Sequence, residues 1–292
     1  MNKRSSEKNT QRCFIQPNKL LGQNFLRDKN ILRKIILAAN LTSNDTVLEV
    51  GPGEGTLTKE LAQVAGRVVA VEKDRALAAQ LKIKFANTKN TEIIEGDILK
   101  INLQKLLSCH PERSEGSIDS SATPQNDNFS PYKVVANIPY YLTSHLIRLL
   151  LEADNPPQDM ALMVQKEVAQ RICAKPPEMS LLSVSVQFYA TPQIIAKIPR
   201  GAFYPRPKVD SAIIKIVPSL KHRGADAKNF FRVLHAGFAH PRKQLLNNLS
   251  TELKLPRERI GKIIISAGLS PSQRAEKLNI DDWKNLADKL IS

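Results

Sequence analysis

The chain has 292 residues, 42% of them hydrophobic, which suits one large or two modest domains with a real core and excludes wholesale disorder. No apolar run approaches the roughly 18–20 residues of a membrane span. The opening MNKRSSEKNTQR is charged and lacks the apolar core of a secretory signal, so with a net charge of +15 the expectation is a soluble, cytoplasmic protein with a polyanionic partner.

Residues 1–18 read as a flexible basic tail, polar and without apolar periodicity. Within LGQNFLRDKNILRKIILAANL, Ile31, Leu32, Ile35 and Ile36 recur at helical spacing, and Asp28 is placed to cap the start. TVLEVGPGEGTLTKELAQ reads as strand, glycine turn and helix. RVVAVEKD is a buried strand, RALAAQLKIKF a helix, and TEIIEGDIL a third strand. YKVVANIPYYL is a fourth, followed by the helix SHLIRLLLEA; DMALMVQKEVAQRI gives strand then helix. SLLSVSVQFYA and SAIIKIVPS are later elements, with the Pro-rich IPRGAFYPRPKVD between them. Strand and helix alternate, which predicts an α/β domain over 19–218 with helices on both faces of its sheet.

Two segments break this rhythm. SCHPERSEGSIDSSATPQNDNFSP, residues 108–131, holds too few apolar residues to order itself and is expected to be a flexible surface insertion. From 219 onward FFRVLHAGFA, KQLLNNLSTEL, RERIGKIIISAG and DDWKNLADKL predict short helices with no strand between them, a small helical domain over 219–292. The charge follows the same division. Residues 1–34 carry nine basic and two acidic residues and 219–292 fourteen and seven, while the stretch between them balances at twenty against nineteen. Two basic ends around a neutral middle favour nucleic acid over a general solubility device. The three cysteines, Cys13, Cys109 and Cys173, are odd in number and far apart, so neither a disulfide framework nor a metal site is expected.

The first candidate site is the turn Gly51-Pro52-Gly53-Glu54-Gly55 after Val47–Val50. Small residues there let the backbone turn tightly and approach a ligand. Glu72 ends the next strand, where a carboxylate can accept both hydroxyls of a ribose, and Asp97 ends the third, where it can take the exocyclic amine of an adenine. The three positions converge because ligands bind at the carboxyl ends of such strands. The Gly-x-Gly-x-Gly spacing departs from that of dinucleotide folds, and no compelling phosphate ligand is visible, so a cofactor without a phosphate is favoured over NAD. The pattern resembles the class I S-adenosylmethionine methyltransferases, with their Rossmann-like sheet.

The second is Asn137-Ile138-Pro139-Tyr140, directly after the strand Val134–Ala136. An amide, a proline and an aromatic suit a flat substrate. The N6 amine of adenine is a poor nucleophile because its lone pair is delocalised into the ring. Hydrogen bonds from that amine to the Asn137 side-chain oxygen and the Pro139 carbonyl favour a pyramidal nitrogen, Tyr140 stacks on the base, and the gain is mainly positioning and electrostatics. A second aromatic on the stiff loop Phe203-Tyr204-Pro205-Arg206-Pro207 is the candidate to complete a clamp on a base that has left its stack.

Together with Leu21-Gly22-Gln23-Asn24-Phe25-Leu26, Glu95-Gly96-Asp97 and Phe203 through Ser211, these residues resemble the rRNA adenine N6,N6-dimethyltransferase family over almost all of 19–292. The resemblance implies that Asn24, Leu26, Gly51, Glu72, Asp97 and Asn137 touch S-adenosylmethionine, and that Tyr140 and Phe203 hold the target adenine. One branch dimethylates two adjacent adenines in the terminal hairpin of small-subunit (16S) rRNA; another dimethylates one large-subunit adenine and confers macrolide-type resistance. Phe238 through Leu249 and Ser272-Gln273-Arg274-Ala275-Glu276-Lys277-Leu278 look like the first. Where that branch usually carries Arg-Arg-Lys, this chain has Pro241-Arg242-Lys243, and the insertion at 108–131 is also unusual for it. The leading expectation is therefore a small-subunit enzyme acting as a monomer on the immature subunit. The alternatives are the large-subunit resistance enzyme and a ribosome assembly factor whose methylation is secondary.

Overall fold

The computed structural model describes residues 23–26, 28–108, 131–219 and 225–291; the expected tail at 1–18 and residues 109–130 of the expected insertion lie outside them. In chain order the elements are β1 (Phe25–Leu26), α1 (Lys29–Ala39), β2 (Thr46–Val50), α2 (Thr56–Val64), β3 (Arg67–Glu72), α3 (Arg75–Lys84), β4 (Thr91–Glu95) and α4 (Leu103–Ser108). Next come β5 (Tyr132–Asn137), α5 (Thr143–Glu152), β6 (Met160–Gln165), α6 (Lys166–Ile172), α7 (Leu181–Tyr189), β7 (Ala190–Ile198), β8 (Phe203–Tyr204) and β9 (Ser211–Pro218). Four helices close the chain: α8 (Ala225–Phe238), α9 (Leu245–Leu253), α10 (Arg257–Ser266) and α11 (Ile280–Ile291).

The main sheet has seven strands in the order β4-β3-β2-β5-β6-β9-β7. β4, β3, β2, β5 and β6 are mutually parallel, and β9 runs antiparallel to both β6 and β7. The inner parallel strands β2, β3, β5 and β6 are mostly apolar and buried, as a sheet covered on both faces requires, while the edge strand β4 is not. Alternate residues go to opposite faces: Leu48, Val69, Val134 and Leu162 join the core under α5 and α6, while Val47, Val68, Val135 and Met163 join that under α1 and α2. The Asp28 side chain accepts the N–H groups of Asn30 and Ile31, so α1 starts at the expected cap. β7 was not anticipated: its outer positions alternate between exposed and half-buried, and a bulge shifts its register between Ile194 and Ala196. Edge strands read weakly for that reason.

Helices α8–α11 pack around the fully buried Trp283. That cluster takes in Val184 and Phe188 of α7, while Val186 and Ala190 on the other side of α7 belong to the core beside the sheet. Phe188 stacks on Phe230 of α8 with ring centroids 4.1 Å apart. The chain changes character at 219, but the apolar contact that joins sheet and helices runs through α7.

Candidate active site

The chain runs β2–β3–β4 outward on one side of β2 and then returns to its other side as β5. Where strand order reverses, the loops leaving two neighbouring strands diverge and open a crevice at their carboxyl ends. The cavity at that point is lined by residues 49–54, from the end of β2 into its loop, and by Asn137 through Leu142, from the end of β5. Glu72 and Lys73 after β3, Gly96 through Ile98 after β4, and Gln23 through Leu26 complete it. Of the residues singled out from sequence, Asn24, Leu26, Gly51, Glu72, Asp97, Asn137, Pro139 and Tyr140 all meet here.

The glycine turn is built as its spacing predicts. Gly51, Gly53 and Gly55 all have positive φ, at 69°, 58° and 71°. At Gly53 close approach adds to conformation, since a Cβ there would lie 2.9 Å from the Phe25 ring. The Gly53 N–H donates to Glu72 Oε2 at 3.0 Å, and the Asp74 N–H donates to Glu72 Oε1 at 2.8 Å. Burial pushes the Glu72 carboxyl above its ordinary range, against the pull of these two bonds. Each carboxylate oxygen keeps a further lone pair for a ligand hydroxyl. Asp97 is ion-paired with Lys73 at 3.0 Å, which holds its carboxyl below the usual range.

Asn137 Nδ2 donates to the Asn24 carbonyl at 3.1 Å. With the donor end engaged, Oδ1 is the acceptor end left for a substrate amine. The Pro139 carbonyl already accepts the Leu142 N–H at 2.9 Å, the first bond of the 3₁₀ turn Tyr140–Leu142, and keeps its second lone pair. Tyr140 is half-buried, and its hydroxyl lies 3.0 Å from Ser211 Oγ.

Phe203 is placed differently from the clamp position expected of it. It is absent from the cavity lining and is 5% exposed, packed among Leu26, Ile31 and Ile198. β1 and β8 pair antiparallel with Leu26 opposite Phe203 and Phe25 opposite Tyr204. Alternation along this ribbon sends Phe203 inward and leaves Tyr204 57% exposed.

Glu49 is the lining residue whose importance sequence reasoning missed. It is 1% exposed, its Oε2 has no hydrogen-bond partner, and burial raises its pKa to about 8. An acid inside the otherwise apolar TVLEV was the available signal. An orphaned buried carboxylate facing a cavity that also holds Glu72 and Asp97 suits a ligand carrying amino and sulfonium cations and ribose hydroxyls. S-adenosylmethionine has all of these, so the residues present fit it. Among the described residues no group of three or more His, Cys, Asp or Glu is placed to hold a metal ion, and no helix is long and apolar enough to cross a membrane.

The family profile described as ribosomal RNA adenine dimethylase matches residues 15–292. A relative from Dehalococcoides mccartyi named ribosomal RNA small subunit methyltransferase A is 43% identical over 274 residues, covering 93% of this chain and 88% of the relative. One of the same name from Clostridioides difficile is 40% identical over 275 residues, covering 92% and 89%. Among solved structures, the 23S rRNA methyltransferase ErmE aligns at a TM-score of 0.69 with 28% identity, covering 92% of this chain and 100% of that one. A dimethyladenosine transferase from Plasmodium falciparum aligns at 0.70 with 26% identity, covering 90% and 95%.

Proposed function

This chain belongs to the ribosomal RNA adenine dimethylase family, and from that premise we propose that it dimethylates N6 of two adjacent adenosines in the 3′-terminal hairpin of small-subunit rRNA. It is an rRNA adenine methyltransferase and its methyl donor is S-adenosylmethionine. The observation that carries the reading is the anchored amide of Asn137, which shares one cavity with Glu49, Glu72 and Asp97. Relatives at 43% and 40% identity carry the small-subunit name, against 28% for the large-subunit enzyme, and this supports the small-subunit branch.

When bound, S-adenosylmethionine supplies an electrophilic methyl on its sulfonium. Glu72 and Asp97 hold the nucleoside end, and Glu49 faces the cationic part; Asn24, Leu26 and Gly51 close the walls. Asn137 Oδ1 and the Pro139 carbonyl accept the two N6 hydrogens and draw the nitrogen toward a pyramidal geometry, so that its lone pair points at the methyl. Tyr140 is the platform on which the base stacks. No strong general base is needed before transfer, because the proton becomes acidic once nitrogen is alkylated and leaves to solvent. A second methyl requires the cavity to readmit the monomethyl amine. Phe203 enters as the residue across the β1–β8 ribbon from Leu26; contact with the base requires this ring to leave the apolar pocket it occupies here.

The partner we propose is the immature small ribosomal subunit, met in the cytoplasm by a monomer. Residues 219–292 form the proposed RNA-binding part and 19–218 the transferase part. Arg242 and Lys243 support this, standing exposed on a turn before α9 that Asn248 fastens by donating to the Gly237 and His240 carbonyls at 2.7 and 3.0 Å. Pro241 sits exposed in the same turn.

The test is transfer of labelled methyl groups to immature small subunits and, side by side, to protein-free large-subunit rRNA. Dimethyladenosine on the small subunit alone is expected; product on the large-subunit RNA would move the chain to the resistance branch. Asn137→Ala should abolish transfer while the protein stays folded, and a fully active Asn137→Ala enzyme would remove the mechanism.

A further inference from the structure

Ser211 is fully buried at the start of β9, in a run continued by Ala212, Ile213 and Ile214. It lies between Gln165 at the end of β6 and Ile198 at the end of β7. A hydroxyl in such a place costs stability unless it is hydrogen-bonded, and its bond goes to the Tyr140 phenol at 3.0 Å. Its surroundings are rigid. The Lys166 N–H donates to the Asp210 carbonyl at 2.9 Å, and the Arg200 N–H donates to Asp210 Oδ1 at 3.0 Å, so the residue before Ser211 is tied to the segments that leave both flanking strands.

Tyr140 has no such support from its own element. It opens a 3₁₀ turn of three residues, and Tyr141 beside it is 53% exposed. An aromatic platform works only if its plane is set before the base arrives, since a small misplacement of a reacting group costs rate steeply. A bond from the ring's far end to an immobile hydroxyl in the sheet supplies that constraint. It spans 71 residues of sequence and joins the β5 loop to the end of loop 199–210.

We propose that Ser211 is a positioning residue for the methylation, acting through Tyr140 to fix the plane against which the target adenine stacks, a role that rests on Tyr140 being that platform. Its removal frees the ring to tilt, while the half-buried phenol can take water as its partner. Ser211 itself does not line the cofactor cavity, so it reaches the cofactor only through the Tyr140 ring, and the consequence falls chiefly on the rate of transfer.

The experiment compares Ser211→Ala, Tyr140→Phe and the double variant on immature small subunits with labelled S-adenosylmethionine, and measures cofactor affinity by calorimetry. Each single variant should lower kcat about five- to tenfold, as loss of one ordinary hydrogen bond does. The double variant should fall no further than the worse single, and cofactor Kd should stay within about twofold. A merely structural role for Ser211 predicts losses that multiply in the double variant, and that result overturns the proposal, as does wild-type kcat in Ser211→Ala. Should Ser211→Ala not fold, Tyr140→Phe removes the same bond from the half-exposed side, and wild-type kcat there overturns it equally. Tyr140→Ala separates the two levels. Full activity in it sinks the platform reading itself. Inactivity in it, with Ser211→Ala and Tyr140→Phe both at full rate, sinks only the part given to Ser211.

Discussion

A buried carboxyl with an unpartnered oxygen makes stability depend on pH, and Glu49 is such a group. Its folded pKa of about 8 lies above the 4.5 of an ordinary glutamate, so between these values the native state holds a proton that the unfolded chain releases. Stability of the free protein from this group is therefore full below about pH 4.5 and falls as pH rises toward 8. Glu49→Gln removes the dependence without changing the shape of the side chain. In urea unfolding at pH 5 and pH 8, the advantage of Glu49→Gln over wild type should grow at the higher pH; an advantage equal at both would show that Glu49 is already ionised at pH 5. At this scale Glu72 and Asn137, which end their strands, and Asp97 and Tyr140, just beyond theirs, could be singled out because such residues at the carboxyl ends of parallel strands point to a ligand. Glu49 lies one residue inside its strand, so the one hint was an acid in an otherwise apolar run, and that alone does not say that its side chain reaches the cavity.

Elements of two residues cannot be read from periodicity, and the ribbon of β1 and β8 is built from two such pieces. It ties the segment that lines one wall of the cofactor cavity to the loop that carries Phe203. Thr56 strengthens the tie by donating its hydroxyl to the Leu26 carbonyl at 3.0 Å. Phe203→Ala should thus weaken S-adenosylmethionine binding about tenfold, close to 1.4 kcal/mol, although Phe203 does not line the cavity. Calorimetry on the folded variant checks this, and an unchanged Kd would leave the ribbon without influence on the cofactor. A second element effect concerns α3. Asp74 caps it by accepting the Ala76 and Leu77 N–H groups, and also accepts from Gln23 at 3.3 Å. Asp74→Ala should cost about 1 kcal/mol in urea unfolding.

On the scale of the whole molecule, sheet and helical region share α7. Trp283 is the chain's one tryptophan and is buried at the centre of α8–α11, so its fluorescence reports on that region. Phe188→Ala removes a side chain of α7 that is 4% exposed and should destabilise by about 3–5 kcal/mol. The Trp283 transition in urea should shift with it; a Trp283 midpoint left in place would mean that α8–α11 hold together without α7. The charge acts over the same distances. With basic residues gathered toward both ends of the chain, affinity for small-subunit rRNA should fall steeply between low and physiological salt, and a flat response would remove the phosphate-contact reading.

The sequence by itself determined the α/β order, the glycine turn, the acids at the ends of β3 and β4, the Asn137-to-Tyr140 motif and the short helices after 219. Each is written in neighbouring residues as periodicity, a cap, a glycine or a strand-end polar group. Tertiary structure alone decided that Phe203 faces the core, that Asn24 orients Asn137, that Ser211 meets Tyr140 and that α7 serves two cores. These pairs lie far apart in the chain, at separations of 113 residues for Asn24 and Asn137 and 71 for Tyr140 and Ser211, and no local pattern encodes such a contact. It is fixed only when the strands take their places in the sheet and bring the loops at their carboxyl ends together.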